Sequence, residues 1–320
     1  MVLISLLSLI SACSVHGSGE IVNTPDSASY TVTIASGIEH GTVTANPASA
    51  TKGTSVTLTA TPETGYKLKT LTVTKAAGGE VTTMPDNNTP TKYKFTMPES
   101  NVNVSAVFEH ASKNIPLTLE AIAAGSITIT NPWSTLKFTK NGGELTSCGG
   151  AAEHDIIVEA NDIICFYAES SGNSANYGTK NMEISCTADC YVYGNIMSLV
   201  TLETGATSAS QWNPEETTLT TGYAFNRLFW QNSHIKNHAT KTLYLPAATL
   251  TESCYSNMFT ECTILSYIKC LATNISAESC TTIWVRSVAT SGTFVRPAST
   301  TGWTTGEHGI PSGWTTEDAQ

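Results

Sequence analysis

Between Tyr30 and Ala106 apolar and polar residues take turns along the chain. Tyr30, Val32 and Ile34 are followed by Val56, Leu58 and Ala60, then Tyr93, Phe95 and Met97, then Val102, Val104 and Ala106, mostly with threonine, lysine or asparagine between them. A period of two puts every apolar side chain on one face of a strand. Gly, Asn and Pro separate the runs, so residues 30–109 are expected to form a small module of short antiparallel strands. A second set of the same kind spans residues 115–205: Leu117, Leu119 and Ala121; Ile127 and Ile129; Leu136 and Phe138; Ile163, Cys165 and Tyr167. Turn residues such as Asn141-Gly142-Gly143 separate these runs, and the pattern predicts a small β-sandwich.

Past residue 219 the pattern changes. The segments AFNRLF from Ala224, CYSNMF from Cys254 and CTTIWV from Cys280 align with one another at spacings of 30 and 26 residues. Such spacings fall in the range of stacked repeats. Leu245 and Leu271 each stand nine residues before the cysteine of their unit. Each unit of residues 219–297 therefore reads as a short apolar strand, a polar turn and a short helix, with Thr251 and Ser276 as the expected helix caps. In this arrangement Cys254, Phe259, Cys262, Leu265 and Cys280 are core positions. Leu245-Pro246, Phe259, Cys262 and Leu265 also resemble the LP…F…C…L units of BspA-type leucine-rich repeats of bacterial surface proteins. Residues 298–320 repeat Gly-Trp-Thr-Thr at Gly302 and Gly313, and they read as a cap that keeps the end of the stack dry. The expected fold is thus mostly β and multidomain: a small antiparallel β module, a β-sandwich, and a short leucine-rich-repeat-like α/β solenoid.

The start of the chain reads as an address. MVLISLLSLISAC is an apolar run closing on small residues and Cys13. It is too short for the roughly 20 residues that cross a bilayer and has the ending of a secretory signal. It resembles a bacterial lipobox, which implies a signal peptide over residues 1–12, lipidation of Cys13, and a tether over residues 13–29. The resemblance places the remainder on the cell envelope, surface-exposed, at the outer membrane in a Gram-negative cell. Residues 30–109 also resemble the divergent internalin-B-type bacterial repeat, with Asn46-Pro47, Gly65-Tyr66 and Met97-Pro98 at its characteristic positions. That likeness implies a spacer on an exported protein and no catalytic residue.

Composition narrows the partners. A net charge of −10 and only 16 Lys and Arg residues argue against nucleic acid, which needs clustered cations. The 51 threonines suit half-wet strand surfaces. Zinc would want cysteines two to four positions apart, whereas Cys254, Cys262, Cys270 and Cys280 are separated by eight, eight and ten positions. No metal or other cofactor is expected. Outside the cytoplasm disulfides form readily, and Cys186 with Cys190 across a short turn, and Cys148 with Cys165, are the candidate pairs. His234 and His238 lack the intervening glutamate of a protease motif, with Ile235 in its place. Neither a nucleophile elbow nor a phosphate loop is present, so no enzyme is expected. The expectation is a surface-anchored binding or adhesion module for a host or microbial protein or glycan, with Tyr244, Tyr255, Tyr267, Trp284, Trp303 and Trp314 as candidate contact residues. The alternatives are a glycan-capturing or glycan-processing protein with its site on the sandwich, and a structural envelope component.

Overall fold

The computed structural model describes residues 28–63, 66–86, 89–169 and 181–319. The signal peptide, Cys13, the tether up to residue 27, and Gly65 lie outside the described residues.

The first body is a pair of facing sheets. One has five strands in the order Ser49–Thr51, Ser29–Ile34, Val102–His110, Tyr66–Lys75 and Glu80–Val81. The other has four, in the order Gly41–Asn46, Ser55–Pro62, Thr89–Thr96 and Met84–Asp86. The alternating residues supply the core between them: Val56, Leu58, Val102 and Val104 are fully buried, with Phe95 and Met97 almost so. One pairing departs from the antiparallel expectation. The first and last strands of the module run parallel, with Val32 opposite Val102 and Ile34 opposite Val104.

After His110 the chain builds a second body. Leu117–Ala121, Lys137–Lys140 and Ile163–Tyr167 pair antiparallel, and Cys190–Asn195 pairs with Leu117–Ala121 on the other side. A separate sheet of Glu153–Val158, Gly125–Thr130 and Glu183–Cys186 belongs to the same core. The sandwich and the repeats, expected as separate units, share one sheet. Cys190–Asn195 also pairs parallel with Ile235–Asn237 and with Leu243–Leu245, and the ladder continues through Tyr267–Cys270, Thr293–Pro297 and Thr315–Ala319. An open strand edge is a row of unpaired donors and acceptors, and here the repeats cover it. One apolar core accordingly runs from Leu117 to Trp314.

The short helices expected in each repeat are not formed. Among the described residues only Ile196–Leu199 and Ala209–Gln211 are helical, both as 3-10 turns. In place of each helix the chain makes a ribbon of tight turns with a left-handed residue at every fourth position: Tyr223, Arg227 and Gln231, then Ser253, Asn257 and Glu261, then Ser279, Ile283 and Ser287. These triplets are offset by the same 30 and 26 residues as the sequence alignment. Within a ribbon every second N–H reaches back three residues, as Leu228 does to Phe225. The N–H groups between them point to the next layer. Phe225 donates to Cys254, Phe229 to Met258, Tyr255 to Cys280 and Phe259 to Trp284. A helix would satisfy its N–H groups internally; this ribbon spends half of them on its neighbour. Thr251, expected as a cap, donates its hydroxyl to Thr221 of the preceding layer. Ser276 donates its own to the Asn274 side chain.

Candidate binding surface

Side chains alternate across a strand, so the fully buried Phe294 and nearly buried Ile268 assign the opposite residues to the outer face of the parallel ladder. In register, Tyr244 lies beside Lys269, Lys269 beside Val295 and Val295 beside Glu317; Tyr267 lies beside Thr293 and Thr293 beside Thr315. The N-terminal module covers the first part of this face. His110 stacks on Tyr244 with centroids 4.6 Å apart, and the Tyr66 hydroxyl lies 3.3 Å from Lys269 Nζ, which sits over the Tyr66 ring at 4.9 Å. The ammonium is 6% exposed as a residue, and burial lowers its pKa.

Val295, beside Lys269, is also buried, and the face opens toward its last strand. Tyr267 and Thr293 are half-buried, Thr315 and Glu317 exposed, and the two threonine hydroxyls lie 3.3 Å apart. Asn237 fixes the start of this row by accepting from the Ser266 and Tyr267 N–H groups at 2.9 Å and donating to the Tyr267 carbonyl at 2.8 Å. Tyr267 is held in its neutral form, its pKa pushed up to about 12 by burial and by Glu317 and Tyr66. The surface therefore offers one aromatic ring, several hydroxyls and a carboxylate on rigid strands. Such a set can stack on and hydrogen-bond a polar ligand.

The other candidate contact residues fall differently. Tyr255 and Trp284 are fully buried and stack on one another at 6.0 Å, within a column that begins at Phe225. Neither presents a face to solvent. Trp303 stacks on Trp284 at 5.6 Å and meets Phe294 edge-on at 5.1 Å. Trp314 is buried and donates its indole N–H to the Ala289 carbonyl. Tyr244 is beneath His110 and Tyr267 alone of the six stands in the open row.

Cys254, Phe259, Cys262 and Leu265 are fully buried and Cys280 nearly so. Cys262 Sγ donates to the Phe229 carbonyl of the preceding layer at 3.1 Å, and burial pushes its thiol pKa well up. The four disulfide candidates are free thiols. Cys148 is buried, its pKa pushed up to about 12, whereas Cys165 faces Thr118 at 3.5 Å. Cys186 and Cys190 interact with each other, which lowers the first thiol and raises the second. His234 and His238 have separate partners: His234 Nδ1 meets Asp189 at 3.0 Å, while His238 Nδ1 accepts from the Thr240 and Lys241 N–H groups. Among the described residues no group of three or more His, Cys, Asp or Glu side chains converges to hold a metal.

Two features carried no sequence signal. One is the joint between module and ladder, built by residues far apart in the chain. The other is a cleft of about 260 Å³ lined by Thr201, Asn213, Glu216, Thr218, Thr220 and Thr221. Glu216 accepts backbone N–H bonds from Thr218 and Thr217, and hydrogen bonds from Thr218 first, then the Thr217 N–H, hold its carboxyl below the usual carboxylate range. The cleft lies on irregular chain between two periodic segments, where pattern analysis is silent.

The architecture is mostly β, in several sheets. Residues 30–112 match the family described as Divergent InlB B-repeat domain. The search of curated proteins and the search of solved structures give no match.

Proposed function

We propose that the protein is a lipid-anchored envelope protein whose tip binds a polar partner, with no catalytic step. The module over residues 30–112 is the spacer, and the layered segment is a short leucine-rich-repeat-like stack without helices. The open row of Tyr267, Thr293, Thr315 and Glu317 is the contact surface, for an extended glycan or peptide. The observation that carries this reading is the family match of residues 30–112, because it concerns a repeat of surface-exposed, adhesion-type proteins. The ladder supports it by holding an uncovered, chemically mixed row next to the spacer.

Two measurements test it. Cells labelled with a radioactive fatty acid and shaved with protease should retain label on a small N-terminal fragment, and Cys13→Ala should abolish the label. The purified chain from residue 28, screened on glycan and peptide arrays, should give ligands whose binding falls at least tenfold in Tyr267→Ala with an unchanged melting temperature. Label that persists in Cys13→Ala removes the anchor. Full binding in Tyr267→Ala and in Thr315→Lys removes the assigned surface.

A further inference from the structure

The joint holds a histidine in one protonation state. The Ser112 backbone N–H donates to His110 Nδ1 at 3.2 Å, so that nitrogen carries a lone pair. The ring proton is therefore on Nε2, which faces the Thr242 hydroxyl of the ladder at 3.2 Å. The ring is buried, stacked on Tyr244 from the ladder and edge-on to Tyr66 of its own module at 5.5 Å. His40 extends the column by stacking on Tyr66 at 4.1 Å. Ser112 adds a second link, its hydroxyl accepting from the Thr242 N–H at 3.2 Å. The module is thus fastened to the ladder through neutral His110 and the residue two positions after it.

We propose that His110 is an acid-released latch: a proton added at Nδ1 turns an acceptor into a donor facing the Ser112 N–H, and the module separates from the ladder.

The surrounding charges favour this outcome. On its own strand, Glu109 is shared by Lys67 at 3.4 Å and Lys69 at 3.5 Å. Glu215 from the second body is held by Lys69 at 3.3 Å and by Lys113. Glu63 faces His40 at 3.9 Å. Tyr66, Tyr244 and Tyr267 stay neutral, their pKa values raised mainly by burial. Lys269 brings a positive charge to the column, over the Tyr66 ring, and the cause acting on its pKa is burial, not a carboxylate. An imidazolium at position 110 would meet that ammonium in a site that excludes water. Burial first, then Lys269 and His40, hold the His110 pKa down to about 3. The sign follows from linkage. The released state binds the proton at the ordinary value of 6.5 and the closed state only near 3, so the latch is fully set above 6.5 and weakens steadily as pH falls from there toward 3.

The test uses the full chain, titrated from neutral pH to pH 3 by small-angle X-ray scattering, near-ultraviolet circular dichroism and 15N NMR of the histidine rings. The expected result is a rise in radius of gyration below pH 6.5 while the near-ultraviolet signal persists, with His110 becoming doubly protonated over the same interval. His110→Gln, which carries no titrating group, should show no such pH-dependent expansion. Four results overturn the proposal: a joint still closed at pH 3, expansion only when the near-ultraviolet signal is also lost, His110 titrating without expansion, or His110→Gln expanding over the wild-type interval. Should His110→Gln be open already at neutral pH, the wild-type ring titration decides between the latch and a purely steric role.

Discussion

Trp284 packs against four aromatic rings, those of Tyr255, Phe259, Phe294 and Trp303. It stacks between Tyr255 and Trp303, meets Phe294 edge-on, and donates its indole N–H to the Gly309 carbonyl at 2.8 Å. Trp284→Ala should therefore cost about 3–5 kcal/mol, measured by urea unfolding. Cys262→Ala removes a smaller buried group and its bond to Phe229. The expected loss is about 1–3 kcal/mol, seen as a lower melting temperature, with ligand binding by the folded protein intact. Ile283 has the opposite expectation. It is a β-branched residue at φ 54°, where the left-handed backbone crowds its Cβ. Asparagine tolerates that backbone, so Ile283→Asn should stabilise the protein by about 1 kcal/mol, and a lower melting temperature would contradict the strain argument. At this scale the sequence was informative. Phe259, Cys262 and Leu265 stand out as core through their likeness to LP…F…C…L units, whereas Tyr255 and Trp284, read as contact aromatics of the repeat region, are placed inside by the stacking column.

The elements separate what periodicity conveys from what it hides. Alternation located the strands because a sheet with one wet face imposes period two on its residues. The repeat spacings of 30 and 26 residues were equally legible, since each layer must present the same groups to the next. The turn ribbon was not. Its apolar positions, such as Phe225, Leu228 and Phe229, follow the three-to-four spacing of a helix, and only the left-handed residues distinguish the two. Those positions hold Tyr, Arg, Gln, Glu, Ser and Ile as well as Asn, with no glycine to announce them. Gly292, by contrast, is required by a close approach. A Cβ there would stand 2.2 Å from the Ser266 carbonyl, which also accepts the Thr293 N–H at 2.9 Å. Gly292→Ala should destabilise the ladder by about 1–3 kcal/mol, with hydrogen exchange accelerated at Thr293–Pro297 before the N-terminal module is affected.

Across the whole molecule, the sandwich and the layers share one sheet and one core because Cys190–Asn195 belongs to both kinds of pairing. Sequence patterning had no means of revealing this, since pairing of Gly194 with Leu243 and of Asn195 with Tyr244 depends on chain path and not on periodicity. The same limit hid the joint, where Glu215 holds the exposed Lys69 and the more buried Lys113. Exposed pairs contribute little and are screened by salt. Glu215→Gln should lower the melting temperature slightly in dilute buffer and by less in 1 M salt, where the exposed Lys69 pair is screened and the more buried Lys113 pair persists.

The parallel pairing of Ser29–Ile34 with Val102–His110 has a mechanical consequence. The chain enters the module at the start of the first of these neighbouring strands and leaves at the far end of the second. Tension applied to the two ends of the module, as the proposed anchor and ligand would apply it, would therefore pull the two strands along their length in opposite directions. Their shared backbone bonds would be loaded together in shear instead of being peeled one by one, a geometry that resists sudden tugging.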